Sequence, residues 1–315
     1  MPQDRFAVMD IGSNTIRILV AEKSGGGFKT LHSGQVITRL AEKAHDNDWT
    51  LLNGAMERTV DGIATLLDGA APYKPFRICA AATHAVRQAA NKEAFLALVQ
   101  KRLGFGLHVI PWETEAALSL RGAALVVGAT TPVLLFDIGG GSTEYICRGA
   151  DGRIHAEGTA LGVVRLTETY IKHVPLVMGE YAKLEAYLQP ELRAVAEKLD
   201  PARPFTLVGT AGTVTSIAAI VHNVVPFDPE RINNRVLLRG AVAELLRTLG
   251  AMTIGQRGAM ESLQQGREDL IIAGIGLTLA TMDVFGVDRL TVSDAGIREG
   301  LMLAAMEGEV PVEQV

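Results

Sequence analysis

Two stretches of this 315-residue chain bring an aspartate, glycine and hydroxyl side chains into one short turn: Asp10-Ile11-Gly12-Ser13-Asn14-Thr15 and Asp137-Ile138-Gly139-Gly140-Gly141-Ser142-Thr143. Glycine permits positive φ and close backbone approach, so consecutive N–H groups at Gly12 and at Gly139, Gly140 and Gly141 can converge on an anion. Ser13, Asn14, Thr15 and Ser142 add side-chain donors. Asp10 and Asp137 would repel a phosphate directly, but they could hold a magnesium ion that bridges to it. The chemistry expected of two such turns is a metal-assisted clamp on phosphate.

A single Asp-Ile-Gly is what a hairpin turn selects for conformational reasons alone. Two copies, each after an apolar strand and each followed by hydroxyl residues, make that reading insufficient. Competing phosphate motifs are missing: the chain has neither a Walker sequence nor a spaced Gly-x-Gly-x-x-Gly. Zinc hydrolases and serine esterases of the usual kinds are excluded as well, because His-Glu-x-x-His, Cys-x-x-Cys and Gly-x-Ser-x-Gly do not occur.

A net charge of −5 and a pI near 5.8 argue against a nucleic-acid coat or a membrane-surface protein, both of which need a broad positive field. A polyanionic ligand must therefore be held locally. Cys79 and Cys147 each lie in an apolar run, so a disulfide framework is not expected and a reducing compartment is. The amino terminus runs into a strand without a signal-peptide pattern, and the apolar stretch 270–281 is too short for a bilayer, which together point to the cytoplasm.

The elements that must position these residues follow from periodicity. Residues 6–9 and 133–136 read as strands that enter the two turns, and each turn is followed by a return strand. The repeat implies two lobes of related topology, with the cleft between them as the natural site. Residues 91–103 carry helical spacing, 107–110 read as a strand, and 113–127 form a helix leading out of the first lobe. The expected domains are 1–128 and 129–315, the final helix being a candidate to return to the first. The second lobe continues with a strand at 206–208, the turn Gly209-Thr210-Ala211-Gly212-Thr213 and a helix through Ile217 and Ile220. A long polar helical region at 240–266, an apolar helix from 270, a final strand at 289–292 and a closing helix complete it.

Several segments recur together in a known order: Val8-Met9-Asp10-Ile11-Gly12-Ser13-Asn14-Thr15, Ala82-Thr83-His84-Ala85-Val86-Arg87, Glu115-Ala116, the segment from Asp137 to Glu144, and Gly209-Thr210-Ala211-Gly212-Thr213. They are followed by Arg267-Glu268-Asp269 and Gly296-Ile297-Arg298-Glu299-Gly300. On these residues the chain resembles, over essentially its whole length, the exopolyphosphatase/guanosine pentaphosphatase family of the actin-like ATPase superfamily, in its short two-domain form. The resemblance implies an α/β fold of two actin-like, ribonuclease H-like lobes with an interdomain cleft. It implies hydrolysis of phosphoanhydride bonds, releasing terminal phosphate from inorganic polyphosphate or guanosine pentaphosphate, with Mg2+ or another divalent cation, by a homodimer.

By position, Glu115 corresponds to the general base on the attacking water, and Asp137 and Glu144 to residues associated with the metal. Arg87 and Arg39 correspond to arginines suited to phosphate oxygens, and Thr210 and Gly212 join the phosphate-binding set. Where the family often has Glu-Glu-Ala this chain has Thr114-Glu115-Ala116, which leaves Glu113 and Glu115 as candidates. Glu115 is preferred because it adjoins the alanine. His84 stands where asparagine or serine is common, and Arg298 and Glu299 are expected as a helical surface pair outside the site. A kinase of the same superfamily and a non-catalytic alarmone or polyphosphate sensor are the alternatives. The arginines and the acidic set favour hydrolysis.

Overall fold

Alternating strand and helix patterns fold into two units, Met1–Gly122 with Ile297–Val315, and Ala123–Gly296. The computed structural model describes residues 5–13, 15–25, 27–44, 48–74, 76–128 and 130–314. The chain begins with strands β1 (Arg5–Ile11), β2 (Thr15–Ser24) and β3 (Gly27–Ile37), then α1 (Asn53–Ala70) and β4 (Arg77–Ala82). Next come α2 (His84–Gln88), α3 (Lys92–Leu103), β5 (His108–Val109) and α4 (Trp112–Val127). The second unit holds β6 (Val133–Ile138), β7 (Thr143–Arg148), β8 (Ile154–Thr159), α5 (Val163–Tyr170), α6 (Met178–Leu199), β9 (Thr206–Thr210) and α7 (Ala211–Val221). It continues through α8 (Pro229–Ile232), β10 (Val236–Leu238), α9 (Arg239–Gly250), α10 (Ile254–Gly258), α11 (Ile271–Phe285) and β11 (Arg289–Val292). The chain then returns to the first unit with α12 (Ile297–Glu307) and β12 (Glu313–Gln314).

In the first unit the sheet order is β12-β4-β1-β2-β3, with β5 paired to β4. Successive side chains of a strand point to opposite faces. Phe6 and Val8 of β1 accordingly pack with Leu118 of α4 and Leu301 and Met302 of α12, while Ala7, Met9 and Ile11 pack with Val60 and Ile63 of α1 and Phe95 and Val99 of α3. Two helical layers therefore cover the sheet. Contact between α12 and α4 is close enough that a Cβ on Gly300 would overlap the backbone of Leu118, so only glycine fits at that crossing.

The second sheet has the order β10-β11-β9-β6-β7-β8. Its β9-β6-β7-β8 portion repeats the β4-β1-β2-β3 portion of the first: a hairpin extended by a third antiparallel strand, with a parallel strand on its other side. The internal repeat read from the two Asp-Ile-Gly turns is thus a repeat of topology. The core of this unit is built around α11, which is buried on almost every face and packs on α6, α7 and α9.

Some expectations are corrected. The polar region 240–266 is not one helix: α9 ends at Gly250, and Thr253 opens α10 with a capping box in which its hydroxyl accepts from the Gln256 N–H and the Gln256 side chain accepts from the Thr253 N–H. β11 is not the last strand, since β12 follows and pairs with β4. Arg298 and Glu299 are not a surface pair; their side chains are 12% and 11% exposed, 3.3 Å apart, because α12 lies against the first sheet. Among the described residues, no helix is long and apolar enough to cross a membrane.

Candidate active site

In the first unit β1, β4 and β5 run parallel, so their carboxyl ends emerge at one edge of the sheet, where open α/β sheets bind ligands. Asp10 and Ile11 end β1 in register with Ala81 and Ala82 of β4. Thr83 follows and is tied back to β1, its N–H and its hydroxyl both donating to the Ile11 carbonyl at 3.2 and 3.3 Å. From there α2 carries Arg87, and β5 leads into α4, which carries Glu115 in its first turn. The two meet: Arg87 Nη1 donates to Glu115 Oε2 at 2.7 Å and to the Ile110 carbonyl at 2.9 Å. The pair is half-buried, with side chains 22% and 29% exposed, so it is neither dry nor free to swing. Glu113, by contrast, is exposed.

His84 lies beside this pair, its ring edge-on to Trp49 with centroids 5.2 Å apart. Burial, followed by the neighbouring Arg87 guanidinium, pushes the His84 imidazole below its ordinary range, and Glu115 pulls in the opposite sense. Arg39 sits two residues beyond β3 in the left-handed region, φ 51°. Its segment is anchored on the first Asp-Ile-Gly turn, because the Ala41 N–H donates to the Ser13 carbonyl at 2.9 Å, and Thr15 pairs with Ile37 at the end of β3. Ser13, Thr15 and Arg39 are thereby brought to one end of the sheet. Asn14 lies outside the described residues.

The two turns are built alike: the Gly12 N–H donates to the Thr15 carbonyl at 3.2 Å, and the Gly139 N–H to the Ser142 carbonyl at 2.9 Å. The expectation that their glycines take positive φ is not met, since Gly12, Gly139, Gly140 and Gly141 are not among the positive-φ residues. Close approach is the reason for glycine instead. A Cβ on Gly12 would stand 2.9 Å from the Thr15 carbonyl oxygen, and one on Gly139 3.1 Å from that of Ser142.

In the second turn the Gly139 and Gly140 carbonyls accept from the Val163 and Val164 N–H groups at the start of α5, at 3.1 and 3.0 Å. In a trans peptide N–H and C=O point opposite ways, so the N–H groups of the exposed Gly140 and Gly141 face away from α5. Gly162 makes this docking possible, because a Cβ there would overlap the backbone of Gly140 and Gly141.

Electrostatically the turns differ. Asp10, 9% exposed, is opposed across the hairpin by Arg17, whereas Asp137 is opposed by Glu144 on β7 and by Thr210 on β9. Directly opposed residues share a face with Cβ atoms about 4.5–5.5 Å apart, so two carboxylates stand side by side at the second turn, whereas at the first Asp10 faces a cation. Ser142 Oγ donates to Glu144 Oε1 at 2.6 Å. Among the described residues no group of three or more His, Cys, Asp and Glu could cage a metal by itself. One or two carboxylates with hydroxyls is the donor set suited to Mg2+, which keeps several waters and takes substrate phosphate as a ligand. These residues fit that ion.

The strand-to-helix junction after β9 holds a group that reading along the sequence leaves out of the site. Thr210 caps α7 without a side-chain bond, Ala211 sits at φ 65°, and a Cβ on Gly212 would overlap the guanidinium of Arg267. Gln264 holds that guanidinium through Nε at 2.8 Å. A cation laid on a helix N-terminus opposes the helix dipole, an arrangement that becomes favourable when an anion bridges the two. Gly212 was the available signal: a glycine one residue into a helix needs a reason, and here the reason is the arginine above it.

A family model described as the Ppx/GppA phosphatase family matches residues 19–309. Exopolyphosphatase 2 of Mycobacterium tuberculosis is 31% identical over 321 residues, which span 96% of this chain and 99% of that protein. Exopolyphosphatase 1 of Mycobacterium leprae is 28% identical, with 97% and 90% covered. Among solved structures, the Aquifex aeolicus member of the Ppx/GppA family superposes with a TM-score of 0.85 at 31% identity, covering 98% of this chain and all of that one. An exopolyphosphatase from Cytophaga hutchinsonii gives 0.78 at 25% identity, over 97% and 98% of the two chains. The actin-like α/β fold implied by the family resemblance is therefore the fold observed, and the chain belongs to the Ppx/GppA family of phosphohydrolases.

Proposed function

We propose that this phosphohydrolase releases the terminal phosphate of inorganic polyphosphate by direct attack of water, and that guanosine pentaphosphate is a second substrate offering the same terminal anhydride. The opposed carboxylates Asp137 and Glu144, set beside a glycine turn whose N–H groups face outward, carry this reading. Relatives named exopolyphosphatase, matched over nearly their full length, support it. Phosphoryl transfer to water needs one group to orient and deprotonate the water and cations to spread charge over the equatorial oxygens. Glu115 takes the first role.

Arg87, Arg39 and Arg267 take the second, each a planar donor fork suited to phosphate. The N–H groups of Gly140 and Gly141, with Ser13, Thr15, Ser142 and Thr210, supply further donors. Asp137 and Glu144, with Asp10 a further candidate, hold Mg2+, which neutralises phosphate charge when bound. Arg87 is already engaged by Glu115, so an arriving phosphate competes for that guanidinium and loosens its hold on the base.

The test is orthophosphate release from polyphosphates of graded length and from guanosine pentaphosphate, side by side and without an acceptor. Release from both, with added Mg2+, is expected. Turnover only when a phosphoryl acceptor is supplied would make the protein a kinase, and binding without turnover would make it a sensor.

A further inference from the structure

Among the described residues, the largest fully buried side chain is charged. Arg257, in α10, has no exposed surface, and among the described residues no carboxylate lies within ion-pairing distance of it. Asp269 attracts it electrostatically without a direct ion pair, and burying a cation that lacks a direct pair is expensive, while apolar replacements of similar shape are often tolerated as well or better. Stability alone therefore does not account for an arginine here. What the guanidinium does is specific: Nε donates to the Leu249 carbonyl at the end of α9 at 2.9 Å, and Nη1 to the Glu268 carbonyl at 3.1 Å. Nη2 is buried and has no partner among the described residues.

Glu268 follows Arg267 directly. The Arg267 carbonyl in turn accepts from the Leu270 and Ile271 N–H groups that start α11, at 3.1 and 2.9 Å. The backbone carrying Arg267 is thus held on one side by α11 and on the other by the Arg257 fork, which ties it to the end of α9. A planar fork can bridge two carbonyls from separate segments; a lysine ammonium, a point charge, fixes such a geometry less well.

We infer that Arg257 is a positioning residue, whose two carbonyl bonds fix the 267–268 backbone so that the Arg267 guanidinium lies over Gly212 at the start of α7. The inference rests on the reading of Arg267 as a phosphate-gripping group. Arg257 touches no substrate and acts through Arg267 alone. Its loss should therefore lower activity toward phosphoanhydride substrates, and that loss should disappear once Arg267 itself is gone.

The experiment is a double-mutant cycle on the full chain with polyphosphate as substrate: Arg257→Met, Arg267→Ala and the double variant, with thermal unfolding measured on each. Arg257→Met should lower kcat/KM about 10–10²-fold, the scale of a displaced positioning group, mainly through a higher KM. The double variant should be no worse than Arg267→Ala. Multiplying losses, or an Arg257→Met enzyme with wild-type kcat/KM, would overturn the inference. If Arg267→Ala alone is as active as wild type, it is the phosphate role of Arg267 that falls, and the inference falls with it. Should Arg257→Met not fold, Arg257→Lys replaces it in the cycle; it keeps the charge, loses the fork, and must show the same disappearance of its effect in the Arg267→Ala background.

Discussion

Replacing Glu115 by glutamine should leave a folded protein whose turnover is about 10²–10⁴-fold lower, the usual share of general-base catalysis. Glutamine keeps the volume and an oxygen able to accept from Arg87, but it cannot take a proton. In the structure the Arg87 bond engages Oε2, which orients the carboxylate and leaves Oε1 to accept from a water. Binding should survive and could tighten, because removing a negative charge beside a polyanion relieves repulsion. A purely structural Glu115 would show the opposite pattern, a lowered melting temperature with turnover per folded molecule intact. Glu113→Gln is the control: it should be nearly silent, since Glu113 is exposed and Arg87 reaches Glu115 instead.

Removing the metal should have an effect of similar size. With excess chelator, and in Asp137→Ala or Glu144→Ala at ordinary Mg2+, hydrolysis should fall on the order of 10²–10³-fold, equivalent to the several kcal/mol of charge stabilisation a bound cation supplies. Raising Mg2+ should partly restore the single variants, because each keeps one of the two opposed carboxylates. Full activity in chelator would remove the metal from the account. Asp10→Ala separates the two turns: opposed by Arg17 and not by a second carboxylate, it should shift Mg2+ dependence less than Asp137→Ala does.

Much of this was legible along the chain because the informative residues are local. An apolar strand, an Asp-Ile-Gly turn and a return strand read directly from the sequence, and once a hairpin is accepted, the opposition of Asp137 and Glu144 follows from its pairing. The meaning of the glycines was less accessible. Positive φ is the property sequence reading assigns them, whereas these turns use the missing Cβ to let a carbonyl fold back within about 3 Å.

Long-range packing hid the rest. Gly212 signals a close approach but does not name Arg267 as its cause, and nothing near Gly140 announces Gly162; each pair is brought together only when α11 packs on α7 or α5 packs under the turn. Arg257 carries the surface signature of a charged residue in a polar helix and is buried because α10 is short and wedged between the end of α9 and the segment before α11. Arg298 and Glu299 likewise look solvated until α12 is laid on the first sheet. Sequence pattern reports what an element is; whether its charged face meets water depends on which other element arrives there.

The central claim is that the oxygen of water, and not that of a second substrate, is delivered to the terminal phosphorus of polyphosphate. Hydrolysis of polyphosphate in water enriched in the heavy oxygen isotope, with Mg2+ and no acceptor, tests it most directly. The account predicts one labelled oxygen in each released orthophosphate and none in the shortened chain. Label in the shortened chain instead, or no release until an acceptor alcohol or nucleotide is added, would contradict it.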